Sequence, residues 1–492
     1  MAFPTDPEFT NFTARLELLY QTEAVPPREK RDTFVDALGY GRWEGEYWDR
    51  RVHRGETHEQ ATRAIEAAIR DIWHPTDPPD PPDPPVPPPG EDVTPLKGFL
   101  RVVANSTVGD DSGPRSVRFC SDFAMLAKYR QDRDSVLRTL DGMRGRWHGV
   151  RLFWHLADPW APDNLDVRPS WSDFDPLFTG LLKECVDREL RVSLTAGDLQ
   201  YLSGPLPPYY QRIAALCASV NQQVVSLNGA VNEARVNSSQ GEDWAFWGSM
   251  SSHFQHGYPW GLHGLSDPGD QEEPAALQAC SRHPANVALL HGTRQDWISA
   301  IRRAFNVRYE GFKAEPIIQD EPTNMHGPAP GRIKVYQPLA TKQEVFGLYS
   351  TIILTGQVLT FFGDAALTNR LPLDSDWGFT ELPERWRQMH VPDDIGLYTL
   401  IPGHRPEAPI TIEGIPGNAP GRCDNMVSPD GSRGYAVIYG ETATTPGVWK
   451  IRARVSVAPD SGIWGPDGLM LGFNGSADVP SANQACVVEW HR

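Results

Sequence analysis

From residue 116 to residue 364 the chain alternates two kinds of hydrophobic pattern. Eight short apolar runs, SVRFC (116–120), GVRLFWH (149–155), LRVSLTA (190–196), VVSLNGA (224–230), FWGSMSS (246–252), VALLHG (287–292), EPIIQDE (315–321) and VLTFFGD (358–364), read as buried strands. Between them DSVLRTLDGM, DPLFTGLLKECVDREL, YYQRIAALCASVNQQ, DWISAIRRAFNV and QEVFGLYSTIILTG repeat apolar residues every three or four positions, the period of a helix with one buried face. Strand and helix in alternation predict an α/β fold around a parallel sheet. An open doubly wound sheet needs the same alternation, so the count of eight is what favours a (β/α)8 TIM barrel. The runs span 242 residues from Ser116 to Val358, against about 250 for such a barrel. Just upstream, FLRVVANSTVGDDSGP (99–114) reads as a hairpin turning at GDDSG and laid against the barrel bottom.

The pattern changes on both sides of this region. After about His404, the segments ITIEGI, GYAVIYGE, VWKIRARVSV, GLMLGF and ACVVEW are short strands parted by Pro and Gly turns, as in a compact β-domain. Upstream, residues 75–89 hold ten prolines in fifteen positions. Such a tract lacks ladder donors and prefers polyproline II, a spacer of about 45 Å. Before it, Thr57 and Gln60 form a capping-box pattern, and Ala61, Ile65, Ala68, Ile69 and Ile72 follow at helical spacing. The expected organisation is a helical N-terminal module for attachment or interaction (1–74), a proline-rich spacer (75–95), a barrel (96–400) and a β-sandwich-like domain (401–492).

Composition narrows the function classes. With 46 basic and 63 acidic side chains the formal charge is -17, a surface that repels phosphate backbones and anionic lipid, so neither nucleic acid nor membrane is expected as a partner. The opening MAFPTDPEFTNFT lacks a basic n-region and an apolar core, so no classical signal peptide is expected. The six cysteines lie at least 32 positions apart and no HExxH pair occurs; no metal and no cofactor is expected. Cys423 and Cys486 leave one possible disulfide open. There is no GxSxG, no phosphate loop and no EF-hand run, so esterase, NTPase and calcium-sensor readings lack support.

In a barrel the chemistry gathers on the loops after the strands. VVSLNGAVNEARVN places Asn232 and Glu233 just past the fourth run, and EPIIQDE places Glu321 at the end of the seventh. Across the mouth, two opposed carboxylates are the minimal equipment for glycoside cleavage: one protonates the leaving oxygen, the other attacks the anomeric carbon or activates water. At these residues the chain resembles the cellulase-like retaining glycoside hydrolases with (β/α)8 barrels, the clan whose family five is typical. The resemblance implies Glu233 as acid/base, Asn232 as its neighbour on the sugar 2-hydroxyl, Glu321 as nucleophile and, from GVRLFW, Arg151 as the support of that nucleophile. The clan's usual tryptophan after strand eight is replaced by Phe362, and its aromatic after strand six by His291 and its neighbours.

Around this pair, His155, His253 and His291 close the second, fifth and sixth runs as candidate hydroxyl binders, and Trp154 and Phe362 are candidate stacking faces. Asp198, Asp320 and Asp364 are spare carboxylates at strand ends. The expected activity is that of an O-glycosyl hydrolase cleaving a polysaccharide or oligosaccharide by a two-glutamate retaining mechanism. The alternative is a non-catalytic carbohydrate-binding or virion or cell-surface structural protein on the same scaffold. The N-terminal module is expected to dock to a larger assembly such as a phage particle or cell surface. Location is expected to be extracellular or virion-associated without a classical signal peptide, and otherwise cytoplasmic.

Overall fold

A computed structural model describes residues 93–103, 107–157, 165–231, 238–240, 243–254, 260–261, 288–290, 297–311, 317–319, 341–366, 371–375, 377–413, 421–440, 447–480 and 485–492. The chain forms two compact units, Met1–Pro85 and Val86–Arg492. The expected helical module and nearly all of the proline spacer lie outside the described residues.

The second unit is an α/β structure. A three-stranded meander opens it: β1 (Arg101–Val103), β2 (Thr107–Asp110) and β3 (Gly113–Pro114), the last two joined by the tight turn foreseen at GDDSG. Eight strands then form one all-parallel sheet: β4 (Arg118–Ser121), β5 (Gly149–His155), β6 (Arg191–Ala196), β7 (Val225–Gly229), β8 (Trp260–Gly261), β9 (Ala288–Leu290), β10 (Ile317–Gln319) and β11 (Val358–Phe361). Their order is β8-β7-β6-β5-β4-β11-β10-β9, so the first strand lies between the second and the last. This is the cyclic order of a ring. Among the described residues the one missing contact is between β8 and β9, the two strands at the ends of that order.

Helices carry the crossovers. They are α1 (Met125–Gln131), α2 (Arg133–Met143), α3 (Phe174–Asp187), α4 (Leu206–Val220), α5 (Trp244–Ser251), α6 (Trp297–Asn306) and α7 (Lys342–Leu354). One strand expectation is corrected. FWGSMSS is not the fifth strand but most of α5, whose start is capped by the Asp243 side chain accepting from the Phe246 amide. The fifth strand is the two-residue β8. An apolar run of seven residues fits a buried strand and a buried helix equally, and here the cap upstream decides.

The meander seals the end of the sheet where the strands begin. Leu96, Leu100 and Val108 pack with Val117, Phe119 and Val358 in a small separate core. Arg115 locks it, donating to buried Asp110 at 3.1 Å and to the Thr94 and Pro95 carbonyls, and pairing with Asp393.

After the last parallel strand, α8 (Pro372–Ser375) and α9 (Trp377–Gln388) lead into antiparallel structure. One sheet has β12 (Thr399–Pro402), β14 (Gly421–Val427), β15 (Arg433–Gly440), β20 (Ala485–His491), β17 (Gly462–Gly465) and β18 (Gly468–Gly472) in that order; a second has β13 (Ile410–Glu413), β16 (Val448–Ala453) and β19 (Ser476–Pro480). The two sheets share a core that includes Ile438, Trp449, Ile451, Val479 and Trp490. Strand β15 is buried on both faces. Its Ala436 and Ile438 enter that core, whereas Tyr435, Val437 and Tyr439 join the main core with α7. Helix α7 is correspondingly apolar around its whole circumference, as a helix packed between two sheets must be. Gly347 permits the contact: a Cβ there would stand 2.6 Å from Ala485 Cβ.

The open question of Cys423 and Cys486 closes here. Both are buried free thiols, each paired across the ladder with Ile438 on the strand between them. Two strand spacings make about 9–10 Å, beyond the roughly 7 Å a disulfide allows between Cα atoms.

Candidate active site

Parallel strands deliver all their C-terminal ends to one rim. Described residues there are Ser121 to Phe123 after β4, His155 to Ala157 after β5, Gly197 to Tyr201 after β6, and Phe362 to Ala366 after β11. Asn232, Glu233, Glu321 and His291 lie outside the described residues. Their strands do not. Gly229 ends β7 three positions before Asn232, and Gln319 ends β10 two positions before Glu321.

Strand β5 shows how alternation sorts side chains. Trp154 is buried against Tyr210 of α4, edge to face at 5.3 Å, so its face of the strand looks at the helices. Arg151 and Phe153 therefore look into the sheet's other side. The Arg151 guanidinium is fully buried, 4.8 Å from the Phe123 ring centre and 5.1 Å from that of Phe153. Those rings stack on each other at 4.3 Å, and Phe362 lies 5.7 Å from Phe123. Two expectations are thereby corrected. Trp154 and Phe362 are packed core rings, 1% and 2% exposed, and neither offers a free face to a sugar.

The register puts Ser121, Arg151 and Ser193 side by side on adjacent strands. This is a polar level inside an otherwise apolar sheet. Ser121 Oγ and, on β11, Thr360 Oγ1 are buried without a hydrogen bond among the described residues. Leaving such hydroxyls buried without a partner carries a desolvation cost.

Sequence reasoning passed over Asp122. Its carboxylate is fully buried; Lys128 Nζ reaches Oδ1 at 2.7 Å and also donates to the Ala365 carbonyl at 2.8 Å, joining the loop after the first strand to the loop after the last. Burial pushes the Asp122 carboxyl up to about 6 against the opposing pull of Lys128, and Oδ2 has no hydrogen bond among the described residues. The only trace in the sequence was a Ser-Asp pair directly after an apolar run.

His155 sits at the rim end of β5, 2% exposed. Its Nδ1 lies 2.7 Å from the Gly197 carbonyl, which can only accept, so Nδ1 carries the hydrogen. Burial holds the imidazole below its ordinary pKa, with the Gly197 hydrogen bond opposing, and the ring is neutral with Nε2 as an acceptor. Asp198 follows in a left-handed conformation (φ 51), almost wholly buried, one oxygen accepting from the Ala157 amide at 3.3 Å.

His253 belongs elsewhere. It follows α5, with its amide donating to the Met250 carbonyl, and does not close a strand. A crossover helix returns the chain toward the strand beginnings, so the placement of His253 among mouth residues is corrected. Among the described residues no group of three His, Cys, Asp or Glu side chains is placed to hold a metal ion.

No protein-family model matches the chain, and no curated protein sequence matches it. Solved structures do align. A family 51 α-L-arabinofuranosidase from Bifidobacterium longum is 9% identical with a TM-score of 0.43, covering 81% of this chain and 97% of its own. A putative α-galactosidase from Bacteroides fragilis is 12% identical with a TM-score of 0.43, covering 77% and 79%. A glycoside hydrolase family 5 mannosidase from Rhizomucor miehei is 12% identical with a TM-score of 0.37, covering 54% and 85%.

Proposed function

We propose that the protein is a retaining glycoside hydrolase whose parallel sheet closes into a (β/α)8 barrel. The supporting observation is the cyclic strand order with parallel pairing throughout. It brings the end of β7, which leads to Glu233, and the end of β10, which leads to Glu321, onto the rim that also carries His155 and Asp122, with buried Arg151 deeper along β5. Glu233 acts as acid and then base, Glu321 attacks the anomeric carbon, and Asn232 holds the sugar 2-hydroxyl. Arg151, a cation kept out of water, favours the ionised form of a carboxylate brought near it, which is what a nucleophile requires. His155 accepts a substrate hydroxyl, and His291, next in sequence after β9, is assigned the same role. The substrate is a polysaccharide or oligosaccharide, and residues 1–74 anchor the chain to a larger assembly.

Release of reducing ends from a panel of glycans tests this reading. Glu233→Gln and Glu321→Gln should each lower turnover by roughly a thousandfold or more while the thermal melt stays within a few degrees. Unchanged turnover in both variants would sink it. A purely sugar-binding protein would instead retain glycan without releasing product. The carboxyl separation predicts stereochemistry: about 5–5.5 Å for retention, read as the product anomer by proton NMR.

A further inference from the structure

We infer that the rim at the ends of β5 and β6 is a subsite for a neutral glycosyl unit, with the exposed ring of Tyr201 as its stacking face. The inference rests on the glycosidase reading for what happens to the bound chain, but its binding chemistry stands on its own observations. Tyr201 is 54% exposed on a short helical turn, Leu199–Tyr201, that directly follows the rim end of β6. The turn is held from both ends. Leu199 is buried, and the Tyr201 amide donates to the Asp198 carbonyl at 2.9 Å. Asp198 adopts a left-handed conformation, and its carboxylate accepts from Ala157 on the neighbouring loop. A flat amphipathic ring on a preset turn binds at little cost in conformational entropy.

The second observation is His155. The Gly197 amide donates to its carbonyl at 2.9 Å while its Nδ1 donates back to the Gly197 carbonyl, so His155 and the Tyr201 turn are one unit. Its Nε2, on a side chain 2% exposed, has no hydrogen bond among the described residues and, in this tautomer, only accepts. The Asp198 carboxylate, which accepts from the Ala157 amide, adds negative charge after the end of β6. Among the described residues the guanidinium that acts on His155 is that of Arg168, which is paired with Asp166. As far as the described residues form it, a site with an aromatic face and the His155 acceptor takes hydroxyl donors and gives a carboxylate or sulfate no partner. It therefore fits a neutral hexose or pentose unit, not a uronate.

Affinity electrophoresis of the full chain through gels holding galactomannan, arabinoxylan or polygalacturonate reads binding without any need for turnover. Retardation is expected in at least one neutral gel and absent in polygalacturonate. Tyr201→Ala should weaken the neutral interaction about tenfold, as loss of one ring's apolar contact implies, and Tyr201→Trp should preserve it. Where that glycan is cleaved, Tyr201→Ala should raise KM by a similar factor with kcat within about twofold. Equal retardation of wild type and Tyr201→Ala, no retardation in either neutral gel, or retardation by polygalacturonate overturns the assignment. Loss of turnover in the wild type with Tyr201-dependent retardation would sink the hydrolase reading and leave the subsite standing.

Discussion

Two regions of the described structure treat their buried carboxylates in opposite ways. In the antiparallel sheets Asp424 takes the Tyr439 hydroxyl at 2.7 Å, and Glu489 is met by His390, His491 and the Trp464 indole at 3.1–3.3 Å. No oxygen of either is among the buried atoms lacking a hydrogen bond. At the rim, Asp122 has one oxygen on Lys128 and the other unbonded, with Ser121 and Thr360 hydroxyls unbonded nearby in sequence or across the ladder. In the antiparallel part each of these carboxylates is answered by side-chain donors, although burial still raises the pKa of both. Among the described residues the unbonded oxygen of Asp122 sets it apart from Asp424 and Glu489, while the buried Trp449 and Trp490 indoles of the antiparallel part also lack a hydrogen bond. On the proposed function, the antiparallel part braces α7 and the sheet, and the rim is the working surface.

This contrast can be broken by experiment. The largest effects should come from the rim's own foundation. Lys128→Met strands a buried carboxylate and should cost about 3–5 kcal/mol in denaturant unfolding. Trp154→Ala, which empties the contact with Tyr210, should cost a similar ~3–5 kcal/mol, whereas Tyr201→Ala should stay within about 0.5 kcal/mol. A mild Trp154→Ala would return that ring to the list of ligand faces. In the brace, Tyr439→Phe removes the donor to Asp424 and should cost about 1–3 kcal/mol, with no change in glycan binding.

Acid sensitivity sharpens the comparison further. The Asp122 carboxyl rises from 3.8 to about 6 on folding. The folded state thus holds that proton more tightly, so the contribution is fully present below pH 3.8 and lost as pH rises through about 6. Melts of wild type and Asp122→Asn should accordingly differ most in slope across that window, the variant gaining relative to wild type as pH rises. A flat difference would mean an ordinary carboxylate. The smallest effect expected is none: a reducing agent should leave the melting temperature unchanged, because Cys423 and Cys486 are held apart by Ile438.

Seven of the eight strands were legible because each is a short, nearly unbroken apolar run, the mark of a strand buried on both faces. The run at 246–252 misled because burial alone does not distinguish helix from strand. In the antiparallel part β12, β14, β17 and β19 were missed; RCDNM and SADVP alternate too weakly to stand out. Arg151 and His155 stand out in the sequence as polar residues in an apolar strand, and both are buried on β5. Trp154 was misread for a geometric reason. Its neighbours in sequence point to the opposite face, and only α4 shows which face is which.

The sequence by itself determined the alternation of buried strands and amphipathic helices, the change to antiparallel structure near His404 and the acidic character of the surface, since all three follow from local periodicity and composition. Tertiary structure alone decided that the first strand pairs with the last, that β15 serves two cores, and that Lys128 ties Asp122 to the Ala365 carbonyl at the rim. It also decided that His155 is fixed as a neutral acceptor beside Tyr201. These depend on contacts between residues distant along the chain or on opposite faces of one strand, and no local pattern encodes which of the possible partners will be met.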